Sequence, residues 1–97
     1  MVKHIVTFKL KGDEATRRDA ARRFAEALLA LPEKIEVLKA MEVGINENPA
    51  EDWDVVLTAT LPTMADVDIY AKHPDHVAAA SIIAPLKEAR AGVDYNC

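Results

Sequence analysis

From Val2 to Leu10 the chain alternates. Val2, His4, Val6, Phe8 and Leu10 share one face, and Lys3, Ile5, Thr7 and Lys9 share the other. Period two with β-branched residues predicts a strand. An apolar strand face must be covered by something else in the molecule, so this alternation constrains everything that follows it. The cover comes next in sequence. Lys11-Gly12-Asp13 reads as a turn. From Glu14 to Leu31 the apolar positions Ala21, Phe24, Ala25, Leu28 and Leu31 recur at intervals of three and four, which predicts an amphipathic helix. Pro32 stops it.

Glu36 to Ile45 is predicted as a second strand, with Val37, Met41, Val43 and Ile45 on one face and Leu38 and Ala40 on the other. Asn46 to Asp52 is a polar loop with turn chemistry. Asp54 to Leu61 reads as a third strand, forming a hairpin with the second. Thr63 and Asp66 have the spacing of a capping box and start a short helix through Tyr70. His73-Pro74 starts another, with proline at the first helical position, running to about Ile83. Pro85 reopens one more turn, and Ala91 to Tyr95 is a last strand with Val93 and Tyr95 on one face. The order β-α-β-β-α-β predicts an α+β, ferredoxin-like subunit, an antiparallel sheet with two helices on one face. The 97 residues make a single domain, 1–97, without repeat or linker.

Two helices leave one sheet face over. Ile5, Thr7, Leu38, Ala40 and Val56 point to it if these registers hold. A half-apolar open face of this kind marks a partner site. A second copy packing sheet against sheet is the economical cover, so a homodimer is expected.

Composition narrows the function classes. Apolar residues are 51% and charged residues 29%, a globular balance. A charge-free stretch such as Val77 to Leu86 has about half the length a membrane span needs. The opening alternation of lysine with apolar residues is no secretory signal, and the single Cys97 makes no intrachain disulfide. A cytoplasmic protein with no membrane partner is expected. The net charge of −4 is uneven, because seven bases and three acids fall within residues 1–23. Arg17, Arg18, Arg22 and Arg23 lack interleaved aromatics, and Asp19 and Glu26 sit at helical spacing from Arg22 and Arg23. They read as a solvated, ion-paired helix face, not as a nucleic-acid patch. The three glycines are isolated, so no phosphate-cradling loop and no cofactor are implied. His73 and His76 lie three apart, but no carboxylate or thiol completes a metal set.

The chemistry-bearing stretch is Tyr70-Ala71-Lys72-His73-Pro74-Asp75-His76-Val77, a phenol and two imidazoles around a helix-starting proline. Such groups move protons or hold an oxyanion near neutral pH. This stretch resembles the Tyr–His-Pro–His-Val segment of the stress-responsive dimeric α/β-barrel (Dabb) family. The opening Met1-Val2-Lys3-His4-Ile5-Val6-Thr7-Phe8-Lys9-Leu10-Lys11, the Leu31-Pro32 pair and the closing Val93-Asp94-Tyr95 also resemble that family, in the same order along the chain. The resemblance implies a subunit whose sheet closes into a barrel with that of a second copy. The family includes plant polyketide cyclases, heat-resistant stress-induced proteins and bacterial proteins of unknown role. In the cyclases a His and a Tyr of a pocket between helices and sheet are taken as catalytic; their counterparts here are His76 and Tyr70, and the strand-one His matches His4. The chain departs from the cyclases at Ala78-Ala79-Ala80-Ser81, where they carry a bulky aromatic, and at Arg90 and Gly92, where they are apolar.

Each residue has two readings. His76 is either a general base or a helix-start histidine that bonds a backbone group and orders the bend before it. Tyr70 is either a donor to a carbonyl oxygen becoming an enolate or a core aromatic. His4 lies on an apolar strand face, as a satisfied core residue or a pocket-lining polar group. His73 faces solvent or caps the helix, Trp53 covers a barrel mouth or a dimer edge, and Asp94 and Tyr95 are structural. The leading expectation is a domain that binds a small apolar or aromatic molecule between helices and sheet, with Val6, Phe8 and Phe24 as pocket walls and His4, Tyr70 and His76 as its polar groups. The alternatives are a cofactor-free enzyme of polyketide-cyclase type, with His76 as base and Tyr70 holding the carbonyl oxygen, and a structural stress protein without catalysis.

Overall fold

The computed structural model describes residues 1–97. Its centre is β1 (Val2–Leu10), in which buried and half-buried residues alternate along the whole strand. β1 pairs antiparallel with β3 (Val55–Leu61) on one side and with β4 (Lys87–Asn96) on the other; β2 (Ala40–Ile45) pairs with β3. The sheet order is β2-β3-β1-β4, the ferredoxin-like arrangement that the element order predicts. Val55, Leu57, Ala59 and Leu61 of β3 are buried on the same face as Val2, Val6, Phe8 and Leu10 of β1.

The helices cover that face. Gly12, at φ 108°, makes the left-handed turn out of β1, a conformation open to glycine without a Cβ penalty. Asp13 then caps α1 (Glu14–Leu29) by accepting from the Thr16 amide at 2.8 Å. Ala20, Ala21, Phe24 and Leu28 form its buried stripe. The two alanines let the helix sit low on the sheet, and Phe24 meets Phe8 edge to face with centroids 5.5 Å apart. α2 (Met64–Lys72) opens with a complete Thr63–Asp66 capping box, and α3 (Pro74–Ser81) carries its proline at the start. On the solvent side of α1, Asp19 pairs with Arg22 and with Arg23, as the helical spacing predicts. No helix is long and apolar enough to cross a membrane.

Three boundaries differ from the periodicity. α1 ends at Leu29, and Leu31–Glu33 forms a single 3-10 turn around Pro32. β2 begins at Ala40, four residues later than the alternation predicts. The amides of Lys34 and Ile35 both donate to the Leu31 carbonyl, and that of Leu38 donates to Ile35. These turns tuck Ile35 and Leu38 into the core, so Leu38 does not belong to the open face. β4 begins at Lys87, four residues earlier than predicted. Pairing along the full length of β1 satisfies backbone groups there, and it overrides the poor strand propensity of Lys87-Glu88-Ala89-Arg90.

The other face of the sheet carries no helix. Ile5 and Thr7 lie opposite Thr58 and Val56 on one side and Val93 and Ala91 on the other. Ala40 and Glu42 extend the face. Val93 is 64% exposed and Tyr95 45%, so much of the β4 apolar surface lies bare on this side. Trp53, Ile45, Val55, Val56 and Thr7 line a shallow depression toward one edge of it.

Candidate functional site

The site is built around a break between two helices. Proline disfavours a helical conformation for the residue before it, and His73 is extended at φ −61°, ψ 135°. α2 therefore ends there and α3 begins. The His73 Nδ1 accepts from the Asp75 amide at 3.1 Å, so this histidine caps α3. The break swings the last turn of α2 against the first turn of α3. It sets the Tyr70 and His76 rings 4.5 Å apart between centroids, and His4 of β1 meets Tyr70 edge-on at 5.9 Å.

His76 Nδ1 lies 2.9 Å from the Ala71 carbonyl oxygen. A carbonyl only accepts, so Nδ1 carries the proton, and in the neutral ring Nε2 is a free lone pair. Burial pulls the His76 pKa below its ordinary value; the Ala71 hydrogen bond opposes this, and the nearby charges of His4, Arg90 and His73 add to it. His76 is thus held as neutral imidazole at neutral pH. His4 Nδ1 donates to Oδ1 of Asp94, its cross-strand neighbour in the β1–β4 register. The carboxylate fixes the ring orientation and, in the neutral ring, leaves Nε2 bare.

Tyr70 is fully buried. Its hydroxyl is the one buried side-chain polar atom with no hydrogen-bond partner, and burial raises its pKa. A buried hydroxyl without a partner costs about 1–3 kcal/mol.

A cavity of about 440 Å³ opens between α2, α3 and the sheet, and eight of its fourteen lining residues are hydrophobic. The sequence candidates His4, Val6, Phe8, Phe24 and His76 all line it; Tyr70 does not, lying behind the two imidazoles. Ala80 forms part of the wall, at the stretch where a bulky side chain would fill the space. Asp94, Arg90 and Lys87 line it from β4. Of these, the sequence flags Arg90 only as a departure from the cyclase pattern, and it reads Asp94 as structural. The signal for Asp94 is the register of β4 against β1, which puts it opposite His4.

The fold and the site together define a ferredoxin-like domain with a two-histidine cavity under its helices. The model of the stress responsive A/B barrel domain matches residues 2–97, and the chain belongs to that family, Dabb. A dimeric protein of unknown function and ferredoxin-like fold from Bacteroides fragilis is 46% identical, with a TM-score of 0.96 over 99% of this chain and 95% of that one. A dimeric ferredoxin-like protein of unknown function from Thermobifida fusca is 30% identical, with a TM-score of 0.82 over 99% and 90%. A hydroxynitrile lyase from Passiflora edulis shares the fold at 18% identity, with a TM-score of 0.77 over 97% and 90%. Among curated proteins none matches the sequence.

The depressed pKa has a sign that can be checked. Between the folded and unfolded pKa values of His76 the unfolded chain binds more protons, so stability contributed by the neutral ring falls as pH drops through the ordinary value of 6.5. Ring titration by NMR is expected to give His76 a midpoint below 6.5, and His76→Gln is expected to lose part of the acid-side fall in melting temperature. A midpoint at or above 6.5 would contradict the burial assigned to the ring.

Proposed function

We propose that this chain acts as a homodimer in which each subunit binds a small, partly apolar or aromatic molecule in the cavity between helices and sheet, with the free Nε2 of His76 as its central polar contact. The cavity carries this reading. It is mostly apolar and has a few convergent polar groups, which is the usual make-up of a small-molecule site. The ring cluster behind it is rigid, because α2 and α3 are each capped and His76 is tied to Ala71.

A second reading, a cofactor-free proton-transfer catalyst, is favoured by the state of His76. A neutral imidazole with a bare nitrogen facing an apolar cavity is the form a general base requires. A ligand C–H or phenol proton would pass to Nε2, and the resulting anion would need a donor. Tyr70 serves in that role only if a ligand oxygen reaches its unpartnered hydroxyl. The fold leaves the choice open, since proteins of unlike activity share it.

One probe separates the two readings. 4-Butylacetophenone is expected to shift the His4, His76 and Phe24 resonances saturably, and Ala80→Trp is expected to abolish the shift by filling the cavity. No shift in these rings up to the solubility limit contradicts the binding reading. In D2O a catalyst exchanges the ketone's methyl protons faster than His76→Gln does, by about 10²-fold or more. Equal rates leave a binding protein.

The dimer rests on the bare sheet face, and the Bacteroides fragilis and Thermobifida fusca proteins, 46% and 30% identical, are dimeric. At micromolar concentration the protein is expected to sediment at twice its monomer mass. Ile5→Asp, which puts a charge in the middle of that face, is expected to shift it to monomer. A monomeric parent contradicts the assembly.

A further inference from the structure

The cavity's β4 wall is unusual for an apolar pocket, because it is charged. The pairing of β4 with β1 slips between Lys9 and Leu10. Lys9 pairs with Ala89 and Leu10 with Lys87, which leaves Glu88 bulged out. A bulge of this kind re-aims side chains. Regular alternation from Arg90 would have placed Glu88 on the helix side. The slip instead puts Lys87 there, opposite buried Leu10, while Glu88 pairs with Lys9 at 3.5 Å. The local irregularity thus gives the cavity a cation in place of an anion.

Arg90 is set by a second local device. An added Cβ at Gly92 would lie 3.2 Å from Arg90 Nη1 and 3.5 Å from Nη2. The guanidinium therefore lies over the bare backbone of Gly92, beside the cavity. A glycine inside a strand weakens it, and close approach of another group is the physical reason to have one there.

The charges around the cavity do not cancel by pairing. Asp94 accepts from His4, and Asp68 is bridged by Lys72 at 3.0 Å. Arg90 and Lys87 line the same cavity, and neither side chain makes an ion pair or a hydrogen bond within the protein. On a chain of net charge −4, two unpaired cations at one cavity form a receptor for an anion. Guanidinium binds a carboxylate through two parallel hydrogen bonds.

We propose that the ligand of this cavity carries a carboxylate, that Arg90 anchors it with Lys87 alongside, and that the apolar remainder of the ligand extends toward Phe8 and Phe24. This rests on the cavity being a ligand site and goes further by naming the ligand's charge and its anchor. Arg90 is then a specificity residue. Bound carboxylate also screens Arg90 from His76 and so lifts one of the charges that hold the His76 pKa down.

Two probes of nearly the same shape test this. 4-Butylbenzoate carries a carboxylate where 4-butylacetophenone carries a neutral acetyl group. The benzoate is expected to bind at least about tenfold tighter than the ketone, which corresponds to the gain of one charge-assisted hydrogen-bonded contact. The preference should vanish in Arg90→Gln and shrink in Gly92→Val, both checked for parent-like melting since Arg90 is exposed. Benzoate, but not ketone, should raise the His76 pKa. Equal binding of the two probes by the parent overturns the anion inference and leaves the pocket reading intact. Binding of neither overturns both. A third arm, 4-butylphenylphosphonate, distinguishes the anion class, because phosphonate binding tighter than benzoate would overturn the assignment to carboxylates.

Discussion

The site depends on the hydrogen bond between His76 Nδ1 and the Ala71 carbonyl. It spans the break between α2 and α3, which Pro74 favours and at which His73 caps α3. One bond does three things. It satisfies a carbonyl at a helix end, it holds the imidazole against Tyr70, and it leaves Nε2 as the exposed acceptor. The bland reading of His76, a histidine that orders the bend, and the functional one are thus the same geometry. What separates the two is the cavity beside the ring, which the proposed function uses.

β1 connects that site to the rest of the molecule. Its buried face holds Val6 and Phe8 in the core and, one position earlier in the same alternation, His4 at the cavity. Its other face stays half-exposed with Ile5 and Thr7 at the centre. A shift of one residue in the register would exchange the two faces. The proposed ligand cavity and the bare face proposed to pair with a second copy are therefore the two sides of one strand. The β4 edge takes part in both, with Arg90, Gly92 and Asp94 facing the cavity and Ala91, Val93 and Tyr95 facing outward.

Much of this was legible in local chemistry. The strand alternation, the Thr63–Asp66 box and the His73-Pro74 start each rest on interactions within a few residues, and they appear where the spacing puts them. His4, Tyr70 and His76 were legible because the helix break brings Tyr70 and His76 together and because the chain resembles a family with that pattern. The rest depends on contacts distant in sequence. Leu38 reads as a strand residue until the turns after Leu31 fold it under the sheet. The early start of β4 comes from pairing with β1, not from its own charged sequence. Asp94 meets His4 through the β1–β4 register, and Lys87 reaches the cavity through a bulge. Neither the register nor the bulge has a local signature.

The tautomer of the His76 ring tests the account most directly. Long-range proton–nitrogen NMR at about pH 8, where an ordinary histidine is neutral, reports which ring nitrogen bears the proton. The geometry requires His76 to be protonated at Nδ1 with Nε2 bare. An Nε2-protonated His76 would mean that the Ala71 hydrogen bond is not made, and the bend, the free acceptor and the site built on them would not stand.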